Sequence, residues 1–498
     1  MSSAERPFEQ VRDDFFVNPK TNEIGDFGIA AEYVIQRLLG NTTHEIQGTG
    51  TPISLMAEEI AQEMHKARRF DHFSMAQLHP ADNMVAMLAH MASTTRNNNT
   101  IIGDVSPVET GYERSSVAWM IDKIAGYNIA KASGSLVGGG TCANETALFV
   151  ARERLTQQGW DGTSRAVVLA NEMAHYSVDK AVNILAPNRL IQLQRIPFKD
   201  NSMVMDTDAL AAAVRENRAK GIPIMAIVGL AGETETGLVE DLGTIADIAH
   251  SNGAYLHIDG AYGAPYRLSR KGNLLDEMRE ADSITCDPHK YLYIPYSAGA
   301  VLFKRSSTHS LIENLNADGA AYMFKPEDET KRAHNFKSDY ETHLGKKRIE
   351  GSMGGQAASA LYWTLQKIGE TGLTQILDHT LDMTELFADK VKGGVGSLRP
   401  LFTPDLNTVC VIPDREHDCY PKEMEPFFET TVAQLEERHG IYISTTSIPL
   451  ATKKGTRKNR KVFRIVPTHP FTDADDIEFV AKALNETWHA NLEIANLK

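Results

Sequence analysis

Short apolar runs rich in β-branched residues alternate with helical segments through the middle of the chain. Such runs span residues 166–170, 190–193, 224–228, 255–258, 283–286 and 298–303. Strands joined by helical segments pair in parallel, because the helices must pack on the faces of the sheet. The alternation therefore predicts an α/β fold with a mostly parallel sheet covered by helices.

The length of 498 residues exceeds what one compact core usually accommodates and predicts two or three domains. We expect residues 1–70 to form a helical arm, amphipathic over 53–69, that wraps a partner subunit. Residues 71–375 would form the large domain that holds the sheet. Residues 376–498 contain a helix, two or three strands and a final helix, which indicates a small C-terminal α+β domain.

Two of the apolar runs are followed by charged residues that suit a ligand site. Asp259 ends one run, and Lys290 follows another within the sequence Asp-Pro-His-Lys. Side chains just beyond the carboxyl ends of strands point into the ligand crevice of an α/β sheet. Pyridoxal phosphate (PLP) requires a lysine that bonds to its aldehyde and an acid that keeps its pyridine nitrogen protonated. A lone lysine after a strand is more often a solvated surface residue, so the pair needs a phosphate site beside it.

A glycine-rich stretch supplies a candidate phosphate site. Gly138, Gly139, Gly140 and Thr141 follow a short apolar run and precede a helix predicted over 143–158. Glycines let the backbone approach an anion, and the first amides of a helix are unpaired donors at the positive end of its dipole. The stretch matches neither a Walker loop nor the dinucleotide fingerprint, which favours a single phosphate monoester. A tight loop with a helix cap is the alternative.

His175 is the candidate for stacking on a cofactor ring. It follows the apolar run 166–170 and precedes a helix with an apolar face. An imidazole at this strand end can lie flat on a pyridine ring and also meet a substrate carboxylate. The alternative is a histidine near a helix N-terminus that is satisfied by a backbone group.

The order glycine-rich loop, histidine, aspartate, lysine resembles the group II PLP-dependent amino-acid decarboxylases, which include aromatic-amino-acid, glutamate and tyrosine decarboxylases. The likeness runs from about residue 73 to 368 and is sharpest over 174–181, 257–263 and 287–290. Residues 293–300 and 350–355 look most like the bacterial tyrosine decarboxylases, although this chain is shorter. The resemblance implies the type I PLP fold, which is aspartate-aminotransferase-like.

The resemblance also implies roles for individual positions. Lys290 would carry the cofactor, and Asp259 would pair with the pyridine nitrogen. His175 would stack on one face of the ring, and Ala261 would pack against the other face. These roles make Lys290, His175 and Asp259 catalytic residues.

The remaining cofactor contacts follow from the same likeness. Gly140 and Thr141 would hold the phosphate, with His289 nearby. Asp287 stands where the family often has asparagine, so an acid close to a phosphate is a departure. Thr234 resembles the residue that meets the ring hydroxyl, and a turn residue is the equal alternative.

Other candidates lie further from the ring. Ser352 resembles a residue that reaches the phosphate of the neighbouring subunit, which implies a homodimer with shared active sites. Gln77 and His79 are candidates for binding the substrate, with a polar loop as the alternative. Tyr340 matches the loop tyrosine that returns a proton to the substrate, and Tyr322 is its rival.

The implied reaction removes CO₂ from an L-amino acid and yields the amine. The tyrosine-decarboxylase-like stretches favour an aromatic substrate, whereas Gln77 would equally suit an acidic one such as glutamate or aspartate. A carbon–carbon lyase and an aldehyde synthase are alternatives, although Met353 replaces an arginine usual in sphingosine-phosphate lyases. The intact Asp259 and Lys290 argue against a non-enzymatic PLP-binding scaffold.

Composition restricts the partners. The formal net charge of −14 argues against nucleic acid. The four cysteines have neither metal-ligand nor paired-disulfide spacing, which predicts no metal site and a reducing cytoplasm. The polar N-terminus lacks a signal-peptide core, and no apolar stretch is long enough to cross a bilayer, so we expect a cytoplasmic protein that binds no membrane.

Overall fold

The structure is a computed structural model. It describes residues 7–16, 70–103, 105–186, 189–199, 202–316, 344–392, 398–414, 422–451 and 456–494. Tyr322 and Tyr340 lie outside these residues, as does most of the predicted N-terminal arm. Within the described part, no helix is both long and apolar enough to span a membrane.

The large sheet has seven strands in the order β1-β7-β6-β5-β4-β2-β3. All of its neighbouring strands pair in parallel except β7, which runs antiparallel to both β1 and β6. The strands are β1 Ser133–Val137, β2 Ala166–Asn171, β3 Ile191–Ile196, β4 Ile224–Leu230, β5 Tyr255–Asp259, β6 Ser283–Cys286 and β7 Gly299–Phe303. The predicted runs therefore correspond to β2 through β7, and the expected mostly parallel sheet is confirmed.

Both faces of this sheet are buried, which explains why its strands are continuously apolar. In β4, Ile227 packs into the core on one face, while Ala226 and Val228 belong to the core on the other. The α-helices that precede the C-terminal region are α1 Phe8–Phe15, α2 Met84–Thr94, α3 Pro107–Met120, α4 Gly140–Gln157, α5 Tyr176–Leu185, α6 Thr207–Ala219, α7 Leu242–Ser251, α8 Ser306–His309 and α9 Gln356–Lys367.

Several short segments connect these elements. A π-helical turn, Ile121–Ala125, extends α3. The 3₁₀ segments of this part of the chain are Ala264–Leu268, Gly272–Glu280, Ser310–Asn316 and Leu344–Lys347.

The C-terminal region forms a second, antiparallel sheet in the order β10-β11-β9-β8. Its elements are α10 Gly369–Lys390, β8 Leu398–Pro400, β9 Val409–Pro413, the 3₁₀ turn Lys422–Met424, α11 Glu425–His439, β10 Ser444–Ala451, β11 Arg457–Ile465 and α12 Ala474–Ile494. The sequence predicted two or three strands here, whereas the described residues contain four. β10 is rich in serine and threonine and contains Pro449, which is tolerated because the strand lies at an edge.

The two sheets and their helices agree with the expected type I PLP fold. Residue 376 lies within α10, so a single helix continues across the predicted domain boundary. The division of the chain at residues 71 and 376 stays a prediction.

Candidate active site

The carboxyl ends of the parallel strands meet at a cavity of about 930 Å³. Its lining includes ten of the predicted positions: Gln77, His79, Gly140, Thr141, His175, Thr234, Asp259, Ala261, His289 and Lys290. Ser352 is not among the lining residues, and its Oγ instead accepts a hydrogen bond from Asn99 Nδ2 at 3.1 Å. The fold therefore brings together all the described candidates except the one predicted to serve a neighbouring subunit.

The glycine-rich turn leads directly into α4. Gly139 has φ +140°, a conformation that glycine adopts readily, and the helix begins at Gly140. A side chain at Gly299 would place its Cβ 2.4 Å from the carbonyl carbon of Gly139, so the start of β7 can approach the turn only as glycine. The helix N-terminus thus opens into the cavity, as an anion site requires.

The segment that follows the 3₁₀ turn at residues 344–347 supports the glycine-rich turn. Glu350 Oε1 accepts a hydrogen bond from the Gly138 amide at 2.7 Å. The segment is anchored by a buried ion pair in which Arg348 donates to Glu113 at 2.6 Å. Glu113 also accepts from the amide of Leu136 in β1, which ties the segment to the sheet.

Lys290 lies beside a buried carboxylate. Its Nζ is 3.3 Å from Asp287 Oδ2, and the Gly140 amide also donates to this carboxylate. Burial raises the pKa of Asp287 to about 6, against the opposing effect of Lys290. No described residue hydrogen-bonds Asp287 Oδ1. Burial and the positive charge of Lys290 lower the pKa of His289 to about 4, so this imidazole is neutral at pH 7.

Asp259 is buried at the end of β5 and bonded through both oxygens. Oδ2 accepts from Asn144 Nδ2 at 2.8 Å, and Oδ1 accepts from the Ala261 amide at 3.2 Å. Behind it, Asn144 Oδ1 contacts Thr285 Oγ1 at 2.7 Å and His257 Nε2 at 2.9 Å. The acid predicted to face a pyridine nitrogen is therefore held in a fixed position by neutral groups.

His175 combines the two alternatives that the sequence left open. It caps α5, where its Nδ1 accepts from the Ser177 amide at 3.3 Å, and it also lines the cavity. Burial lowers its pKa, and Asp259 opposes that shift. The ring is consequently neutral near pH 7, and none of the described residues hydrogen-bonds its Nε2, which faces a potential ligand in the cavity.

The cavity wall also contains residues that the sequence did not single out. Arg464 of β11 donates to the carbonyl oxygens of Thr234 at 2.7 Å, Glu235 at 3.1 Å and Ala76 at 2.9 Å. It joins the C-terminal sheet to both segments that hold the predicted Gln77 and Thr234. An arginine within the apolar stretch 462–466 was the available signal, because a cation in a buried strand needs partners.

These groups fit PLP. The α4 N-terminus suits its phosphate, Lys290 can bond to its aldehyde, and Asp259 can pair with its pyridine nitrogen. Asp287 Oδ1 is buried and has no hydrogen-bond partner among the described residues, so a donor group of a bound ligand would complete its bonding.

Comparisons with known proteins also point to a PLP-binding protein. The family model described as the pyridoxal-dependent decarboxylase conserved domain matches residues 45–400. Aspartate 1-decarboxylase of Aliivibrio fischeri is 32% identical over 277 residues, which are 52% of this chain and 47% of that protein. Aromatic-L-amino-acid decarboxylase of Bacillus atrophaeus is 39% identical over 176 residues, or 35% and 36% of the two chains. The matches thus span less than half the length of these two relatives.

Solved structures resemble the fold of this protein over nearly the whole chain. The crystal structure of Oryza sativa TDC with PLP and tryptamine has a TM-score of 0.75 at 16% identity, and the match covers 97% of this chain and 94% of that one. At this identity the likeness supports the fold alone, whereas the family model covers well over half of the sequence. The chain belongs to the pyridoxal-dependent decarboxylase family, whose cofactor is PLP.

Proposed function

We propose that the protein is a PLP-dependent carboxy-lyase that converts an aromatic L-amino acid, such as tyrosine, to its amine and CO₂. The observation that carries this proposal is the convergence of Lys290, Asp259, His175 and the glycine turn on one cavity. These residues come from separate strand ends, and together they supply the groups that PLP requires. The site assignments made from the sequence are part of the proposal.

The residues of the chain would act chiefly by binding and orientation. PLP, when bound, supplies an electron sink for the bonding electrons that CO₂ leaves behind. Asp259 would hold a proton on the pyridine nitrogen, and Lys290 would hold the cofactor by its aldehyde and exchange places there with the amino group of the substrate. The neutral His175 would present Nε2 to the substrate carboxylate. A positively charged ring would stabilise that carboxylate and so oppose its loss as CO₂.

The aromatic preference rests on rings at the cavity. His79 meets Phe70 with ring centroids 4.3 Å apart and Tyr296 edge-on at 5.0 Å. Tyr296 in turn lies 3.9 Å from His289. A substrate ring could extend this cluster in the offset or edge-on geometry that aromatic pairs prefer. The likeness of residues 293–300 to tyrosine decarboxylases and the Bacillus atrophaeus relative support the same choice.

An acidic amino acid is the second candidate. Arg464 and Gln77 both line the cavity and suit a side-chain carboxylate. The Aliivibrio fischeri relative is named for aspartate. An aromatic substrate would depend on the rings of His79 and Tyr296, whereas an acidic one would depend on these polar groups.

A substrate screen tests the proposal. Purified protein with PLP should release CO₂ and amine from tyrosine or another aromatic amino acid faster than from aspartate, glutamate or 2,4-diaminobutyrate. Tyr296→Ala should reduce aromatic turnover, while Tyr112→Ala, which alters a stacked ring pair outside the cavity, should not. Preference for an acidic substrate would replace the aromatic assignment, and no amine from any amino acid would overturn the decarboxylase proposal.

We further propose that Tyr340 returns a proton to the substrate carbon, with Tyr322 as the alternative. A phenol can donate this proton and phenylalanine cannot. Tyr340→Phe should therefore slow amine formation far more than it weakens PLP binding. A direct comparison with Tyr322→Phe measures amine, aldehyde and ammonia together. Normal amine formation by both variants would refute the tyrosine mechanism.

We also propose a homodimer in which Ser352 reaches the neighbouring phosphate. In this chain Ser352 lies outside the cavity. Ser352→Ala should weaken PLP binding. Mixing Ser352→Ala subunits with Lys290→Ala subunits should form hybrid dimers in which one of the two sites combines both defects. Sedimentation that shows a fully active monomer would contradict this assembly.

A further inference from the structure

We infer that Asn144 is a positioning residue that couples Asp259 to His175, so that one buried amide sets both the partner of the pyridine nitrogen and the histidine beside the ring. This inference rests on the proposed function, because it assumes that PLP occupies the cavity. The predicted phosphate site ends one turn earlier, and neither the motifs nor the family match assigns Asn144 a role.

The carboxamide of Asn144 uses all of its hydrogen-bonding capacity. The residue lies in the second turn of α4 and is only 1% exposed. Its Nδ2 donates to Asp259 Oδ2 and to Ser177 Oγ, both at 2.8 Å. Its Oδ1 accepts from Thr285 Oγ1 at 2.7 Å and from His257 Nε2 at 2.9 Å. An asparagine side chain has two hydrogens and two lone pairs for such bonds, and none is left over.

The neighbours fix which way the amide points. A flipped amide would aim its oxygen at Asp259, and an ionised carboxylate can only accept hydrogen bonds. Nδ2 must therefore face Asp259, which leaves Oδ1 for His257. His257 then carries its proton on Nε2, and its Nδ1 is bonded to Ser283 Oγ at 2.8 Å.

The same constraint passes through Ser177 to His175. Because Ser177 Oγ accepts from Asn144, its own hydrogen can be donated to His175 Nδ1, 2.8 Å away. The Ser177 amide donates to the same nitrogen. With Nδ1 occupied as an acceptor, the neutral imidazole carries its proton on Nε2. Asn144, acting through the Ser177 hydroxyl, thus reinforces the histidine tautomer that the Ser177 amide favours.

Replacing Asn144 by aspartate should disrupt both its contact with Asp259 and its link through Ser177 to His175. In Asn144→Asp, two carboxylates would face each other at the Asp259 contact, and they would have to share a proton. Ser177 would turn its hydrogen toward the introduced carboxylate, and His175 would lose a donor. Ser177→Ala removes only the link from Asn144 to His175 and leaves the contact between Asn144 and Asp259 intact.

Asn217→Asp is the matched control. Asn217 is buried in α6 and donates to Gln194 Oε1 and to the Ala213 carbonyl oxygen, both at 2.8 Å. It does not line the cavity. This variant measures what a buried asparagine-to-aspartate change costs when it has no link to the cofactor site.

The experiment titrates PLP into each apoprotein and records the absorbance of the bound cofactor against pH. Asn144→Asp should weaken PLP binding by about 10- to 100-fold, in the range for a residue that orients a ligand-binding group. It should also move the pH midpoint of the spectrum. Ser177→Ala should keep PLP affinity within about threefold but shift the kcat pH profile, because His175 faces Asp259, Asp287, Glu235 and Lys290.

Several results would overturn the inference. Wild-type PLP affinity and an unchanged spectral titration in Asn144→Asp would do so, as would an equal loss in Asn217→Asp. Failure of the wild-type protein to bind PLP would overturn both this inference and the proposed function. Wild-type protein that binds PLP but forms no amine would refute only the function, because the PLP and spectral titrations still test the coupling.

Discussion

Two groups of residues at or next to the cavity differ in how many of their polar atoms have hydrogen-bond partners. The Asn144 cluster, which we define as Asn144, Ser177, His257, Asp259 and Thr285, is buried and connected throughout by hydrogen bonds of 2.7–2.9 Å. The Lys290 cluster consists of Asp287, His289 and Lys290. It holds an ion pair at 3.3 Å, and within the described chain Asp287 Oδ1 has no hydrogen-bond partner.

This difference in hydrogen bonding indicates that one cluster has a supporting role and the other a reactive role. A fully bonded network in a low-dielectric interior is rigid and can hold Asp259 in one position. Buried polar atoms without partners are costly, so they persist where a ligand supplies the missing interactions. The Asn144 cluster would therefore orient the cofactor, while the Lys290 cluster would react with it and change its bonds during turnover.

The largest expected effect comes from removing the reactive amine. Lys290→Ala should reduce amine formation by about 10⁴- to 10⁶-fold, as when a covalent catalyst is lost. Borohydride reduction of the wild-type protein should fix PLP on Lys290, as judged by peptide mapping. Lys220→Ala, which removes an exposed lysine paired with Glu216, should leave turnover unchanged. A reduced adduct on another lysine would move the reactive role out of the Lys290 cluster.

Asp259→Asn should produce the next largest loss. Asparagine fits the same space and can still accept from Asn144, but it lacks the charge that holds a proton on the pyridine nitrogen. We expect kcat to fall by about 10²- to 10³-fold, as for other preorganised electrostatic groups, with a smaller change in PLP affinity. A rate within tenfold of the wild type would show that a different residue serves the nitrogen.

Asp287→Asn tests the cost of the buried charge in the Lys290 cluster. Burial raises the pKa of Asp287 to about 6, above its ordinary value of about 4. The folded apoprotein therefore binds more protons than the unfolded chain between these values, and stability is lost as pH rises through 6. Asp287→Asn should remove about 1–2 kcal/mol of this loss between pH 5 and 8.

The measurement for Asp287→Asn is denaturant unfolding of both apoproteins across that pH range. The difference between the two curves isolates Asp287, because Glu233 and Glu240, whose pKa values burial raises to about 7, are common to both proteins. Parallel curves would mean that Asp287 is not buried as a charge.

Thr285→Val should have the smallest effect. It removes one hydrogen bond to Asn144 Oδ1 while nearly keeping the side-chain shape, at a cost of about 1 kcal/mol. PLP binding should weaken a few-fold. Thr364→Val removes a comparable buried bond from Asn83 outside the cavity, so it should cost similar stability without changing PLP affinity. Equal PLP affinities in the two variants would argue against a supporting role for Thr285.

Local sequence determined the large sheet and the reactive side chains at its edge. The apolar runs became β2 through β7 because a strand buried on both faces must be apolar along its length. Lys290, Asp259, His175 and Gly140 were predicted together because parallel strands deliver their carboxyl ends to one edge. The main local miss was β10, whose polar composition is possible because it lies at the edge of the C-terminal sheet.

Tertiary structure decided how these side chains are supported and charged. Asn144 is 115 residues from Asp259, and Arg464 is 230 residues from Thr234, so a local sequence pattern could not predict either contact. The raised pKa of Asp287 depends on burial. The Ser177 hydroxyl that bonds His175 is local, but its own orientation depends on Asn144, which lies in a different helix. Local periodicity determines which groups reach the edge of the sheet. Their protonation and orientation depend on packing between segments that are distant in the chain.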